Sequence, residues 1–275
     1  AVEARCPVQI YDLYDRAGKR VPLLCAVRPN GETRIEELEA AGGARAVMTR
    51  LRSLIHGECL TMSGRSWAEE IATASEPGSV LHTIDDPIAR AASVIVMRGN
   101  LATEGALLKL GGAGGNAPQF KGKALVFDSQ EAALRALSEH RIVPGTVAVL
   151  RGMGARGGPG MALASGFVAA VEGAGRRSDV VVITDGQLSG LNRGIAIGMV
   201  SPEAAIGGLI AFVEDGDPIV VDIEKRIVTL MVDETELAQR RKRGPTVAPA
   251  EERGWLSIYA RTVQPISRGA VLIEP

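Results

Sequence analysis

Residues 180–194, Val-Val-Val-Ile-Thr-Asp-Gly-Gln-Leu-Ser-Gly-Leu-Asn-Arg-Gly, constrain this chain more than any other stretch. Four β-branched residues, Val180 to Ile183, run unbroken into Thr184-Asp185-Gly186. That pattern is a buried strand ending in a turn. The turn then presents the Ser189 hydroxyl between Gly186 and Gly190, with Arg193 three residues further on. Glycine lets backbone approach a ligand closely, and a guanidinium suits a carboxylate or phosphate. Two readings stay open for this segment alone: a plain glycine-rich connection, or a binding or catalytic loop.

With 275 residues, 46% of them apolar, the chain can build one large core or two modest ones. A net charge of −1 gives no electrostatic case for nucleic acid or an acidic membrane surface. The one basic cluster, Arg240-Arg241-Lys242-Arg243, ends a helix, where the dipole favours cations. Cys6, Cys25 and Cys59 lie far apart with no CxxC pair, which fits reduced thiols in a cytoplasm. A zinc or iron–sulfur site from this chain alone is not expected. No apolar run approaches a membrane span and no secretory pattern opens the sequence, so the expectation is a soluble cytoplasmic protein.

Along the chain, the first part reads as helical. Ile35–Ala41 is one helix; a second carries Val47, Leu51, Leu54 and Ile55 on one face and ends at His56-Gly57. His56 and Cys59 are read as a capping histidine and a buried thiol rather than as ligands. Trp67–Ala74 is a third helix, and the character changes near Asp85-Asp86-Pro87. Beyond residue 88 come strands at Ser93–Met97, Ala106–Leu110, Lys123–Phe127, Thr146–Leu150, Val180–Thr184, Leu209–Val213, Ile219–Ile223 and Ile227–Val232. Helices are expected over Ser129–His140, roughly Met161–Val171, and in a short piece at Ser201-Pro202-Glu203, where serine caps and proline takes the first helical position. Another opens at Asp233, with acids first and bases last, and Trp255–Val263 packs back onto the body with Trp255 as an anchor. Many strands among few helices favour a closed or nearly closed barrel over a doubly wound sheet. The fold class is therefore α/β (α+β), with an α/β segment over 1–87 and a β-barrel with flanking helices over 88–275.

Two more glycine-rich loops leave strands. Arg151-Gly-Met-Gly-Ala-Arg-Gly-Gly-Pro-Gly-Met161 enters a helix, and its backbone N–H groups suit an anion with Arg156 assisting; it lacks the ending of a Walker A loop. Arg98-Gly-Asn-Leu-Ala-Thr-Glu-Gly105 brings the Asn100 amide and a carboxylate. Three such loops suggest one composite pocket at a barrel mouth.

Several of these segments recur, in this order, in the dihydroxy-acid dehydratase / phosphogluconate dehydratase family, which the chain resembles over nearly its whole length. They are His56-Gly-Glu-Cys-Leu-Thr61, Arg98-Gly-Asn-Leu-Ala-Thr-Glu-Gly-Ala106, Phe127-Asp-Ser-Gln-Glu-Ala132 and Gly157-Gly-Pro-Gly-Met161. Ile183-Thr-Asp-Gly-x-x-Ser-Gly190, Val200-Ser-Pro-Glu-Ala204 and Gly269-Ala-Val-Leu272 complete the set. The chain is similar to the C-terminal half of such an enzyme: the end of its N-terminal α/β domain, then its swivel-type barrel.

The resemblance implies a hydro-lyase that converts a 2,3-dihydroxy acid or sugar acid to a 2-keto acid, using an iron–sulfur cluster and Mg²⁺ as Lewis acids. It makes Ser189 the catalytic base at C2 and matches Arg193 to a family arginine beside that loop; with Asp185, Gly190, Arg156 and Asn100, read from the three glycine-rich loops, Arg193 completes the expected substrate-binding residues. The family's cluster cysteines and most Mg²⁺ ligands belong to a region this sequence does not contain. Its Mg²⁺ glutamate position is Leu163 here, so no metal ligand is assigned. Gln187, Met153 and Met199 stand where the family has an arginine, a glutamate and a histidine. The chain alone is thus expected to hold no cofactor, with cluster and Mg²⁺ present only if a partner supplies ligands. Two functions follow: the barrel half of a dehydratase completed by a cluster-bearing chain, or a diverged metal-free domain. The second would act on a larger, more apolar substrate or serve as a non-catalytic binding subunit. A homodimer is the other expected assembly, with no nucleic-acid or membrane partner.

Overall fold

The computed structural model describes residues 2, 4–28, 30–72, 78–90, 92–110, 119–159, 164–189, 194–245 and 253–272. The chain divides into two compact units, one of residues 15–93 with 111–114, the other of residues 1–14, 94–110 and 115–275. Helix α1 (Ile10–Gly18) opens the described helices.

The smaller unit holds α2 (Ile35–Ala40), α3 (Gly43–Arg50) and α4 (Trp67–Ala72), around buried Leu24, Ala46 and Leu81. Ser66 and Glu69 cap α4 reciprocally: Ser66 N–H donates to the Glu69 carboxylate at 2.7 Å and Glu69 N–H to Ser66 Oγ at 3.3 Å. The second helix ends earlier than its apolar spacing implied. α3 stops at Arg50, and Leu54 N–H then turns back to the Leu51 carbonyl. His56 therefore caps no helix; it is exposed, 3.5 Å from Glu58. Cys59 is exposed as well, not a buried thiol.

The larger unit is built on eight strands: β1 (Val94–Met97), β2 (Gly105–Lys109), β3 (Gln119–Phe127), β4 (Thr146–Leu150), β5 (Val180–Thr184), β6 (Ile195–Ser201), β7 (Pro218–Asp222) and β8 (Ile227–Leu230). Between and after them come α5 (Gln130–Ser138), α6 (Ser165–Gly173), α7 (Glu234–Arg243) and α8 (Gly254–Thr262). The strand order is β1-β2-β6-β5-β4-β3-β7-β8, with β3 to β6 running parallel and antiparallel pairs on either side.

The two ends of this sheet meet. Arg98, just past β1, forms a parallel bridge with Ile227 of β8; Arg98 N–H donates to the Arg226 carbonyl at 2.8 Å and Val228 N–H to the Arg98 carbonyl at 2.7 Å. Gly99 must be glycine at this closure: its φ is +130°, and a Cβ would overlap the Val228 carbonyl. The result is the nearly closed barrel expected from the strand pattern.

The β-branched run Val180–Ile183 is explained by its two neighbours. Val181 and Ile183 point into the barrel with Val147, Val149, Ile197 and Val221, whereas Val180 and Val182 join Leu150, Phe167 and Val171 in a second core outside it. Helices α5 and α6 cover that outer face, so both faces of β5 are dry. α5 is capped as the sequence implied, by Ser129 Oγ accepting from Ala132 N–H at 3.1 Å, and α7 by Asp233 accepting from Glu236 N–H at 2.9 Å.

Four expectations are corrected. Leu209–Phe212 is a 3-10 turn, not a strand. Its carbonyls go to two buried arginines instead of a neighbouring strand: Ala211 and Val213 accept from Arg151, and Phe212 from Arg240. Ser201 ends β6, missed in the sequence, and donates its hydroxyl to Glu104 at 2.8 Å; it caps nothing, and the following 3-10 turn starts only at Ala204. Pro202 follows a cis peptide bond rather than opening a helix. Trp255 is no packing anchor: α8 turns Ser257 inward and leaves Trp255 70% exposed.

Candidate functional site

Because β3 to β6 are parallel, their C-terminal ends Phe127, Leu150, Thr184 and Ser201 share one end of the barrel. β2 runs antiparallel to β6 with Gly105 opposite Ser201, so the 98–105 loop lies at that end too. The topology thus gathers all three glycine-rich loops at one mouth. Within it, however, their polar groups do different work from that expected.

The turn leaving β5 is fixed residue by residue. Gly186 N–H donates to Thr184 Oγ1 at 2.9 Å, and the Gly186 carbonyl accepts from Met199 N–H at 2.9 Å. The Gln187 carbonyl accepts from Ala164 N–H at 3.1 Å, and Ser189 N–H donates to Ser165 Oγ at 2.7 Å. Ser189 is half-buried at the end of this turn. Gly190 and Arg193 lie outside the described residues, as does Leu163.

Asp185 is fully buried, and its carboxylate faces backbone. It accepts from Gly152 N–H at 3.1 Å, Met153 N–H at 2.9 Å and Ala204 N–H at 2.9 Å. Burial pushes this carboxyl above its ordinary range, while the N–H donors oppose that shift. Glu203, from the Val-Ser-Pro-Glu segment, repeats the arrangement on the other side of the same turn. It accepts from Arg156 N–H at 3.0 and 3.1 Å and from Gly157 N–H at 3.3 Å. Its carboxyl is also pushed up by burial, with the Asp185 charge adding to the shift and its N–H bonds and Arg156 opposing it. The 151–157 segment therefore does bind anions through its backbone, but they are the protein's own carboxylates.

Arg156 donates its Nε to the Val263 carbonyl at 3.0 Å. Asn100 exchanges two hydrogen bonds with the backbone of Leu230 on β8, Nδ2–H to the carbonyl at 2.9 Å and Leu230 N–H to Oδ1 at 2.8 Å. Its amide is thus engaged in the barrel wall. Sequence reasoning assigned no role to Glu203; the signal was its place two residues after the glycine-containing strand β6, in a segment already singled out.

A cavity of about 890 Å³ lies beside this end, bounded by α1 and the segment before it, by residues 264–271, and by Leu107, Gln187 and Met199. Tyr11 seals one side; its buried hydroxyl donates to the Met199 carbonyl at 2.7 Å.

The family the sequence resembles uses an iron–sulfur cluster and Mg²⁺, and the described residues do not fit either. No three His, Cys, Asp or Glu side chains converge among them, and the three cysteines stay dispersed. Asp185 and Glu203 are committed to backbone N–H groups, and the described residues offer no other cluster of oxygen ligands for a hard cation. Among the described residues no helix is long and apolar enough to cross a membrane.

Comparison with known proteins gives the same picture as the motifs. The dihydroxy-acid/6-phosphogluconate dehydratase C-terminal model matches residues 79–270, and the corresponding N-terminal model matches residues 1–70. A dihydroxy-acid dehydratase of Moorella thermoacetica is 42% identical over 262 residues, covering 94% of this chain and 48% of the relative. One of Roseiflexus castenholzii is 40% identical over 279 residues, covering 100% and 49%. Dihydroxy-acid dehydratase 2 of Pseudoalteromonas translucida is 39% identical over 269 residues, covering 96% and 48%. The chain spans about half the length of the curated relatives it matches. With the barrel, the ordered glycine loops and both family models in agreement, the chain belongs to the dihydroxy-acid/6-phosphogluconate dehydratase family.

Proposed function

We propose that this chain contributes the barrel half of a hydro-lyase that removes water from a 2,3-dihydroxy acid or sugar acid, and that a separate chain brings the cluster and the cation ligands. One observation carries the reading: the turn from Thr184 to Ser189 is held at four successive points, ending at the Ser189 amide. A passive connection needs its buried backbone groups paired but not a hydroxyl held at a fixed place. A hydroxyl that must meet a substrate carbon within hydrogen-bond reach needs both.

The reaction takes a proton from C2 and releases the C3 hydroxyl as water; the remaining enol becomes the 2-keto acid by tautomerisation. Ser189 is the proposed base. A neutral serine is far too weak for that proton, and in this reading the cation that stabilises its alkoxide comes with the second chain. The test is to purify the chain anaerobically, alone and after co-expression with a cluster-bearing chain, and to measure iron and 2-keto acid formation. Keto acid made only by the co-purified pair, and lost in Ser189→Ala, supports the reading; no iron and no product in either preparation overturns it.

The cavity favours a second reading, a metal-free domain that binds a larger, more apolar acid. Ile10, Tyr14, Leu107, Met199, Ile266 and Val271 line it, with Gln187 as a neutral polar group. Titration calorimetry of the chain alone, with acids of increasing apolar length, tests this; binding confined to short polar acids counts against it.

A further inference from the structure

We infer that Glu203 and Asp185 are paired positioning residues, a two-carboxylate clamp that holds the β4 exit turn against the Ser189 turn. The carboxylates come from the exits of β6 and β5 and grip the same segment from two sides. Between them they accept from the backbone N–H groups of residues 152, 153, 156, 157 and 204. Glu203 is 2% exposed and Asp185 0%. Burying two carboxylates without a direct ion pair is costly, and nothing in a barrel core requires it. Backbone N–H groups aimed at an anion are what make the arrangement tolerable, and they do so only while the turn keeps its shape.

One glycine of this segment follows from the clamp. A Cβ on Gly154 would overlap the Glu203 carboxylate, and one on Gly157 would press on the Gly152 backbone. Gly154 is glycine because the Glu203 carboxylate fills the space its side chain would need. Asp185 also ties the clamp to the reacting segment, since Ser189 lies four residues further along the same fixed turn. In this last step the inference rests on the proposed role of Ser189.

Hydrogen exchange of the chain, followed peptide by peptide, separates the clamp from its catalytic consequence. Glu203→Gln and Asp185→Asn keep the shapes but turn an amide N–H toward backbone donors. Each is expected to speed exchange at 152–157 and 186–189 about 10- to 100-fold, with β4 and β5 unchanged. Gly154→Ala, which displaces the carboxylate without removing it, is expected to do the same and serves if either substitution prevents folding. Exchange that stays slow at 152–157, or that rises evenly through the barrel, overturns the clamp. In the complemented dehydratase, Glu203→Gln is expected to lower kcat about 100-fold at nearly constant KM. Faster exchange with unaltered kcat overturns the positioning role. A complemented wild type that makes no keto acid removes the proposed function, and the exchange result still decides the clamp.

Discussion

Asn100 and Leu230 exchange two hydrogen bonds, side-chain amide to backbone peptide, at 2.9 and 2.8 Å. A side chain thereby extends the Arg98–Ile227 bridge by another rung of the seam. Leu230 is 1% exposed, so its peptide has no water to turn to. Asn100→Ala is expected to cost about 2–4 kcal/mol, the price of two unsatisfied buried backbone groups. Urea denaturation checks this; a loss under a few tenths would mean that the seam does not depend on Asn100.

Arg240, on α7, is almost fully buried. It donates to Asp217 at 2.5 and 3.0 Å, to Glu236 at 2.9 Å and to the Phe212 carbonyl at 3.0 Å. Arg240→Met strands Asp217, itself 8% exposed, and is expected to cost roughly 3–5 kcal/mol. Adding Asp217→Asn should recover a large part of that loss. A double mutant no more stable than the single would show that packing, not the ion pair, sets the cost.

The clamp carboxylates have a pH signature. Both are pushed above their ordinary values, so between the unfolded and folded values the native state holds protons that the unfolded chain has released. Their contribution to stability therefore rises as pH falls from the raised values toward the ordinary ones, and is flat below. Exposed Glu37 and Glu69 and half-buried Asp222 are shifted downward and act with the opposite sign. They act equally in the wild type and in Glu203→Gln or Asp185→Asn. Across this window the wild type should gain on both variants as the solution is acidified; a shrinking gap would contradict the burial effect.

Tyr11 offers a spectroscopic check on the cavity wall. Burial first, and the Glu104 charge second, push its phenol far above the ordinary value of 10.0, only partly offset by Arg98. Ultraviolet titration through the ordinary phenol range should show the same amplitude in the wild type and in Tyr11→Phe. A smaller amplitude in the variant would mean that Tyr11 is solvated.

Strands were legible where the side chains themselves required burial on a pleat, as in Val180–Thr184 and Thr146–Leu150. The apolar run Leu209–Val213 misled because burial alone does not separate strand from turn. What decided it was two arginines, Arg151 and Arg240, distant in sequence, taking its carbonyls. β6 was hidden by Gly198, which breaks the apolar pattern; Leu188 packs where its side chain would be. The 151–161 loop suggested an anion; the described N–H groups at 152–157 take the protein's own carboxylates. Asp185 and Glu203 reach the 152–157 backbone only through strand order, and no spacing within one segment reveals that.

The single seam has a further consequence for how copies of this fold interact. Should Asn100 release Leu230 and the Arg98 bridge part, β1 and β8 become two bare ribbon edges, each with a row of unpaired donors and acceptors. A second molecule opened at the same place offers the complementary edge of each. Conditions that loosen the seam therefore favour strand exchange between molecules, and any aggregate formed this way should join β1 of one copy to β8 of the next.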